Sequence, residues 1–176
     1  MVVTPDAAAK LAVLIPLAVT VIYHDIRYRR IPNVLVLTAL LAGLAINIFF
    51  SGTQGLVNSL LGFAIGFIPM LLLHIFGAMG AGDVKLFGAV GTILGVGLMP
   101  TTFVLVVMLG GVIAVYTTLR AGTMLSTLHG VARIFVGILP GWEMPRFAMA
   151  PDRRHTIPYG VAIMIGSLIS ATLFRV

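Results

Sequence analysis

Two acidic residues are the strongest chemical signal in this sequence, because each lies at the edge of a long apolar stretch. Asp25 lies in the run YHDIR, and Asp83 closes the run GAGD. The remaining acids of the chain are Asp6, Glu143 and Asp152. Ionisable groups at membrane helices are costly and therefore indicate a functional site by default. Two carboxyl groups that share a proton can hydrolyse a peptide bond, because the ionised one activates water while the protonated one polarises the carbonyl.

The composition places these acids in a membrane protein. The chain has 176 residues, of which 60% are hydrophobic and 9% are charged, and its mean hydropathy is +1.14. A soluble domain of this size cannot bury so much apolar surface, so lipid must solvate much of it. The sequence has no cysteine, which excludes a disulfide framework, a thiolate metal site and a cysteine nucleophile.

Six apolar segments predict an all-α, polytopic membrane protein with six transmembrane helices, in one membrane-embedded domain over residues 1–176. The apolar runs are continuous rather than alternating, which favours helices over barrel strands. The fourth segment is short for a span, so its start is expected to reach back into the preceding glycine-rich run. Segments 1 to 6 are Ala7–Tyr23, Asn33–Phe50, Leu56–Phe76, Val84–Leu98, Thr102–Leu119 and Ile157–Phe174.

The basic residues predict how the segments cross the membrane. Of the 11 lysines and arginines, all but Lys10 and Arg175 fall in or beside the links that follow segments 1, 3 and 5. Positive residues mark the cytoplasmic side, so these links are predicted to be cytoplasmic and both termini to lie outside. Topology thus explains the net charge of +6, and no nucleic-acid partner is expected. The residues in these links are Arg27, Arg29, Arg30, Lys85, Arg120, Arg133, Arg146, Arg153 and Arg154.

The link between segments 5 and 6, about Arg120–Thr156, is the one long connection in this prediction. Apolar residues recur at helical spacing from Met124 to Leu139. This pattern predicts an amphipathic helix in the cytoplasmic interface, with Arg133 toward the lipid headgroups. A plain membrane-surface helix is the simpler interpretation, and a gate for a substrate is the alternative.

The predicted topology brings the two acids to one membrane depth. Segment 1 runs from outside to inside, which places Asp25 at its cytoplasmic end, and segment 4 begins on the cytoplasmic side at Asp83. From the residues alone, a catalytic pair and a structural or transport-related polar pair both stay open. A proton-coupled transporter, however, would need acids nearer the midplane. The histidines are dispersed, so neither a metal site nor a cofactor is predicted.

Glycines surround Asp83 and continue along segment 4. Gly80 and Gly82 allow backbone conformations closed to other residues and leave room for an extended substrate backbone. Lys85 either tunes Asp83 or extends its ammonium group toward the headgroups. A second set of glycines is predicted to pack segment 4 closely against segment 3. These are Gly88, Gly91 and Gly95 on segment 4, with Gly62 and Gly66 on segment 3.

Four short motifs follow one another along the chain: Asp25-Ile26-Arg27, Ile31-Pro32-Asn33, GAGDVKL over residues 80–86 and IPYG over residues 157–160. Together and in this order they resemble the type IV prepilin peptidases, which are GxGD-type membrane aspartyl proteases. The resemblance covers about Ala7 to Phe174. It depends on the joint occurrence of the motifs, since a lone GxGD is weak evidence. Pro32 also suits the first turn of segment 2.

The resemblance implies that Asp25 and Asp83 are the catalytic pair, at the cytoplasmic face of the bacterial inner membrane, and that no cofactor is needed. The motif residues expected to support the pair are Gly80, Gly82, Lys85, Arg27, Pro32 and Asn33. The implied substrate is a prepilin or pseudopilin with a short basic leader and a hydrophobic helix, cut just before that helix. Glu143 and Asp152 are candidate contacts for the basic leader.

Bifunctional members of this family resemble the chain but carry an N-terminal segment with paired cysteines, tied to N-methylation of the product. The sequence does not show that segment, so we expect peptidase activity without methyltransferase activity, as in the tight-adherence (Flp) peptidases. Preflagellin peptidases are the other short branch. A non-enzymatic assembly or transport subunit is the alternative from another class, and the larger presenilin-like proteases share the GxGD element. The sequence does not indicate whether the protein is a monomer or an oligomer.

Overall fold

The computed structural model describes residues 4–75, 79–122 and 159–174, and these residues form five α-helices. The all-helical prediction is therefore confirmed for this part of the chain. The first helix begins where Thr4 accepts a hydrogen bond from the Ala7 N–H and Pro5 occupies the first turn, where no N–H is needed. The helices are α1 (Pro5–Tyr28), α2 (Asn33–Ile75), α3 (Ala81–Leu94), α4 (Met99–Ala121) and α5 (Tyr159–Leu173).

α2 consists of two helical arms that meet at Gly52, and they correspond to segments 2 and 3. The backbone at Gly52 has φ 57° and ψ −134°, a conformation that glycine adopts far more readily than other residues. Beyond it, Gly55 lies against the carbonyl group of Asn47. In a straight helix these two residues would be about 12 Å apart, so the chain folds back sharply. The turn lies in the gap predicted between segments 2 and 3, at residues 51–55, but a single glycine makes it and the neighbouring residues stay helical.

α3 lies between the two arms of α2, with backbone packed against backbone. On the first arm, a Cβ at Gly43 would meet the backbone of Thr92. On the second arm, a Cβ at Gly62 would collide with the carbonyl oxygen of Gly91, and one at Gly66 would lie 2.8 Å from another α3 carbonyl oxygen. The predicted packing of segment 4 on Gly62 and Gly66 is confirmed. Such close approach increases dispersion contact between helices, which drives helix association in lipid.

Side chains from both arms of α2 hold the end of α3. Asn47 donates from Nδ2 to the carbonyl oxygens of Thr92 and Ile93, at 2.7 and 3.3 Å. The Ser59 hydroxyl donates to the same Thr92 oxygen at 2.9 Å. The last carbonyls of a helix lack intrahelical partners, so these bonds satisfy groups that would otherwise be buried unpaired. Gly95 follows with φ 76° and ends the helix earlier than the boundary predicted for segment 4.

α5 packs against α1, α3 and α4. On the α4 side, the Thr102 hydroxyl donates to the Ser170 hydroxyl at 2.7 Å, and both residues are buried. A Cβ at Gly166 would lie 2.8 Å from the Cγ2 atom of Val106. At its other end, the first turn of α5 lies against the end of α1 that carries Asp25.

Three helices, α1, α2 and α4, are long and apolar enough to cross a membrane. α3 and α5 have 14 and 15 residues, whereas a span needs about 20. The count of six spans therefore stays a prediction. α3 begins at Ala81, which confirms that segment 4 reaches back into the glycine-rich run. The predicted interfacial helix between Met124 and Leu139 lies outside the described residues.

Candidate active site

Asp25 lies in the last turn of α1, where only 6% of it is exposed. Segment 1 was predicted to stop at Tyr23, but the helix continues to Tyr28 and keeps Asp25 within it. The helix ends at Arg29, whose backbone is left-handed (φ 52°, ψ 36°) and whose N–H donates to the Asp25 carbonyl oxygen at 3.1 Å. Left-handed backbone is uncommon for a residue other than glycine. The Arg29 guanidinium interacts electrostatically with the Asp25 carboxyl group.

The first turn of α5 lies directly on the Asp25 carboxyl group. A Cβ at Gly160 would lie 2.8 Å from Oδ2 and 3.1 Å from Cγ of Asp25. The backbone N–H groups of Gly160 and Val161 interact with the carboxyl group. Among the described residues, no group makes a hydrogen bond of standard geometry to the buried Oδ2 atom. The α5 amides therefore interact with this carboxyl group, and no group in the described part of the chain makes a standard hydrogen bond to Oδ2.

Asp83 occupies the third position of α3, after the N-cap residue Gly80. Its carboxyl group folds back onto that cap, because a Cβ at Gly80 would lie 2.9 Å from Oδ2 of Asp83 and the Gly80 N–H interacts with the carboxyl group. An acceptor side chain at this position commonly satisfies the amide of the N-cap residue. Asp83 also interacts electrostatically with Asp25. The structure therefore brings together the two acids that the sequence placed at one depth.

Tyr159 completes the surroundings of the pair. Its ring lies against Gly110 of α4, where a Cβ would be 2.9 Å from Cε1. Tyr159 also interacts electrostatically with Asp83. The IPYG motif drew attention to this turn in the sequence, but no role was predicted for Tyr159 or Gly160. Their contacts join residues far apart in the chain, so local sequence patterns carry no sign of them.

The other residues predicted to support the site differ in how close they come to it. Gly82 lies on the Ile31 side chain, with its Cβ position 3.6 Å from Cβ of Ile31, so the IPN motif packs on the first turn of α3. Pro32 immediately precedes α2 instead of lying in its first turn. The side chains of Arg27, Asn33 and Lys85 are exposed. The expectation that Gly80 and Gly82 adopt backbone conformations closed to other residues is wrong, because Gly80 has an extended backbone (φ −75°, ψ 145°) and Gly82 is helical. The supporting roles of these residues in the site stay predictions.

The arrangement is suited to acid–base chemistry on a water molecule. Like charges held close together cannot both ionise easily, so the pair favours one ionised and one protonated carboxyl group. The Asp25 carboxyl group interacts with amides of α5, and the Asp83 carboxyl group interacts with the amide of its own helix cap. Two carboxyl groups positioned by separate helices can act as general base and general acid on one substrate.

Comparison with known proteins places the chain among peptidases of one kind. Residues 12–115 match the type IV leader peptidase family, and this range includes Asp25 and Asp83. The prepilin leader peptidase/N-methyltransferase of Bacillus subtilis (strain 168) is 28% identical to the chain over 160 residues, which cover 90% of this chain and 53% of that protein. The chain thus spans about half the length of this curated relative. No solved structure gives a significant match. The resemblance drawn from the motifs is confirmed, and the chain belongs to the type IV leader peptidase family.

Proposed function

We propose that the chain is a membrane aspartyl endopeptidase that removes the leader peptide from type IV or Flp prepilins or pseudopilins. The observation that carries this proposal is the interaction of Asp25 with Asp83, which belong to helices far apart in the sequence. Family membership and the name of the B. subtilis relative support the substrate class. The proposal concerns the peptidase activity alone.

The chemistry requires the two carboxyl groups and one water molecule. The ionised carboxylate takes a proton from the water, and the water oxygen attacks the scissile carbonyl carbon while the protonated carboxyl group donates a hydrogen bond to the carbonyl oxygen. The tetrahedral intermediate collapses as the C–N bond breaks, and the leaving amine takes up a proton. The products are a new carboxylate on the leader and a new amino terminus on the pilin.

The proposed topology has six membrane crossings, with both termini outside and the active site at the cytoplasmic face of the bacterial inner membrane. The exposed cations Arg27 and Lys85 lie on the helices that carry the two aspartates, and the exposed Arg30 follows the end of α1, which fits the positive-inside rule. α3 is short for a span, but it lies between the arms of α2 and is largely shielded from lipid. A prepilin cut just before its hydrophobic helix presents the scissile bond at the membrane surface, at the depth proposed for the pair.

The test is co-expression of the chain with a Flp-type prepilin, followed by gel mobility and mass spectrometry of the pilin. We expect the native chain to remove the leader, and Asp25→Asn and Asp83→Asn each to leave the prepilin uncut. Asp6→Asn is the matched control, because Asp6 lies at the other end of α1 and pairs with Lys10 at 2.9 Å. It should cleave like the native chain.

The outcomes separate the alternatives. Cleavage that survives either site substitution removes that aspartate from the mechanism. If the native chain cuts neither a Flp prepilin nor a preflagellin, the non-enzymatic interpretation is favoured. A metal chelator should leave cleavage unchanged, and loss of activity on chelation would contradict the aspartyl mechanism.

A further inference from the structure

We propose that Gly160 is a positioning residue, whose lack of a side chain allows the first turn of α5 to hold the Asp25 carboxyl group in its working orientation. The proposal rests on the proposed function for its kinetic test, and on the contacts of Gly160 for its structural basis. Gly160 contacts neither the substrate nor the attacking water in this scheme. It acts through Asp25.

The first argument is steric. A Cβ at Gly160 would lie 2.8 Å from Oδ2, 3.1 Å from Cγ and 3.3 Å from Cβ of Asp25. Carbon atoms in well-packed interiors approach to about 3.5 to 4.0 Å, so a methyl group requires the neighbour to move. The two closest of these atoms belong to the carboxyl group, which moves when the side chain rotates, whereas the Cβ contact at 3.3 Å requires a shift of only a few tenths of an ångström. We therefore expect an added methyl group to displace the carboxyl group and to leave the helices in place.

The second argument is electrostatic. The first backbone N–H groups of a helix have no intrahelical acceptor and carry a partial positive charge. At α5 these include the N–H groups of Gly160 and Val161, and both interact with the Asp25 carboxyl group. The amides can reach the carboxyl group because no Cβ stands between them at Gly160. Rotation of the carboxyl group would break this arrangement.

The third argument concerns which carboxyl oxygen is left available. Oδ2 is buried and, within the described ranges, accepts no hydrogen bond of standard geometry. A buried carboxyl oxygen without a partner is costly, and in a catalytic pair it is the atom that can bind the attacking water or the substrate carbonyl. The Cβ position of Gly160 lies closest to this same oxygen. A side chain there would both turn the carboxyl group and cover Oδ2.

Gly160→Ala tests the proposal, with Gly166→Ala as its matched control. Gly166 is on the same helix, and its Cβ would lie 2.8 Å from Cγ2 of Val106, so it adds an equally close methyl group away from the aspartates. Val161→Pro is the second test variant, because it deletes one of the two amides in the first turn of α5 and leaves Gly160 unchanged. Proline is tolerated in a first turn.

The full-length chain is purified in lipid, and kcat, KM and the thermal unfolding midpoint are measured with a prepilin substrate. We expect Gly160→Ala to lower kcat by about 100-fold, the effect of a roughly 1 Å misplacement, with KM within about twofold. Val161→Pro should also lower kcat, whereas Gly166→Ala should leave kcat unchanged. A kcat for Gly160→Ala equal to that of Gly166→Ala overturns the proposal, as does a loss of kcat that merely follows a loss of folded protein.

A readout without substrate separates this proposal from the proposed function. The infrared band of the Asp25 carboxyl group is identified by its disappearance in Asp25→Asn. Loss of the amide contacts should shift that band in Gly160→Ala and Val161→Pro, but not in Gly166→Ala. An unshifted band in both test variants overturns the positioning role even if the chain cleaves prepilin. If the band shifts but the native chain cleaves no prepilin, the positioning role is supported and the proposed function is contradicted.

Discussion

Glycines make close contacts in two regions of this molecule, and the two regions use them differently. Between α2 and α3, a Cβ at Gly62 would collide with the backbone of Gly91 and Gly95. At the candidate active site, a Cβ at Gly160 would meet the side chain of Asp25. Backbone cannot move aside without breaking helical hydrogen bonds, whereas a carboxyl group can rotate. We therefore expect the first region to need glycine for folding and, on the proposed function, the second to need it for the orientation of the Asp25 carboxyl group.

The largest expected effect is on the helix interface. Gly62→Ala places a methyl group 2.9 Å from the Cα and carbonyl carbon of Gly95, and closer still to the carbonyl oxygen of Gly91. Overpacking of this kind should lower the free energy of unfolding by about 3 kcal/mol. The measurement is reversible unfolding in mixed micelles. Gly111→Ala on α4 is the control, because no atom of the described residues lies within 4 Å of its Cβ position. Equal stability of the two variants would remove the distinction between the two regions.

Asn47→Ala tests the same interface through its polar contacts. The substitution removes the Nδ2 donor to Thr92 and Ile93 at the end of α3. We expect a loss of about 1 to 2 kcal/mol in unfolding free energy, partly offset because Ser59 still donates to Thr92. Cleavage per folded molecule should stay unchanged, since Asn47 lies away from the aspartates. The exposed Gln54→Ala is the control for stability, and a fall in kcat for Asn47→Ala at full folding would contradict the separation.

Arg29→Gly should move stability and activity in opposite directions. Arg29 has a left-handed backbone (φ 52°), which costs a residue with a Cβ about 1 to 2 kcal/mol, while glycine loses part of that gain to chain entropy. The net expectation is a gain of about 0.5 kcal/mol in unfolding free energy. Cleavage should fall because the guanidinium no longer interacts with Asp25. Arg30→Gly is the neighbouring control. A lower unfolding free energy for Arg29→Gly would show that the left-handed backbone at Arg29 is not strained.

The smallest expected effect is at the contact between α4 and α5. A double-mutant cycle with Thr102→Val and Ser170→Ala isolates their 2.7 Å hydrogen bond. Such bonds between membrane helices contribute about 0.6 kcal/mol on average, so we expect a coupling energy of that size. Unfolding of the two single variants and the double variant provides the measurement. A coupling energy above about 2 kcal/mol would mean that this contact stabilises the protein about as much as contacts at the α2–α3 interface do.

Hydropathy and charge asymmetry were enough to predict part of this structure. Hydropathy predicts the helices, and the distribution of positive charges predicts that Asp25 and Asp83 lie at one membrane depth. The gap between the predicted segments 2 and 3 located the turn at Gly52 but not its form, since a single residue with positive φ leaves the apolar pattern around it unchanged. Arg29 was interpreted only as a topology signal, and its interaction with Asp25 depends on where α1 ends. No role was predicted for Gly160, because its contact with Asp25 joins residues that are far apart in the sequence.

The order of the helices along the chain has a consequence for biosynthesis. Asp25 and Asp83 belong to α1 and α3, whereas the amides that hold Asp25 belong to α5, the last of the described helices. A ribosome therefore delivers both acids to the membrane before it delivers Gly160 and Val161. During that interval, a nascent chain has both aspartates without the turn of α5 that contacts one of them. On the proposed function, the chain would therefore acquire peptidase activity only after α5 has been synthesised and packed against α1.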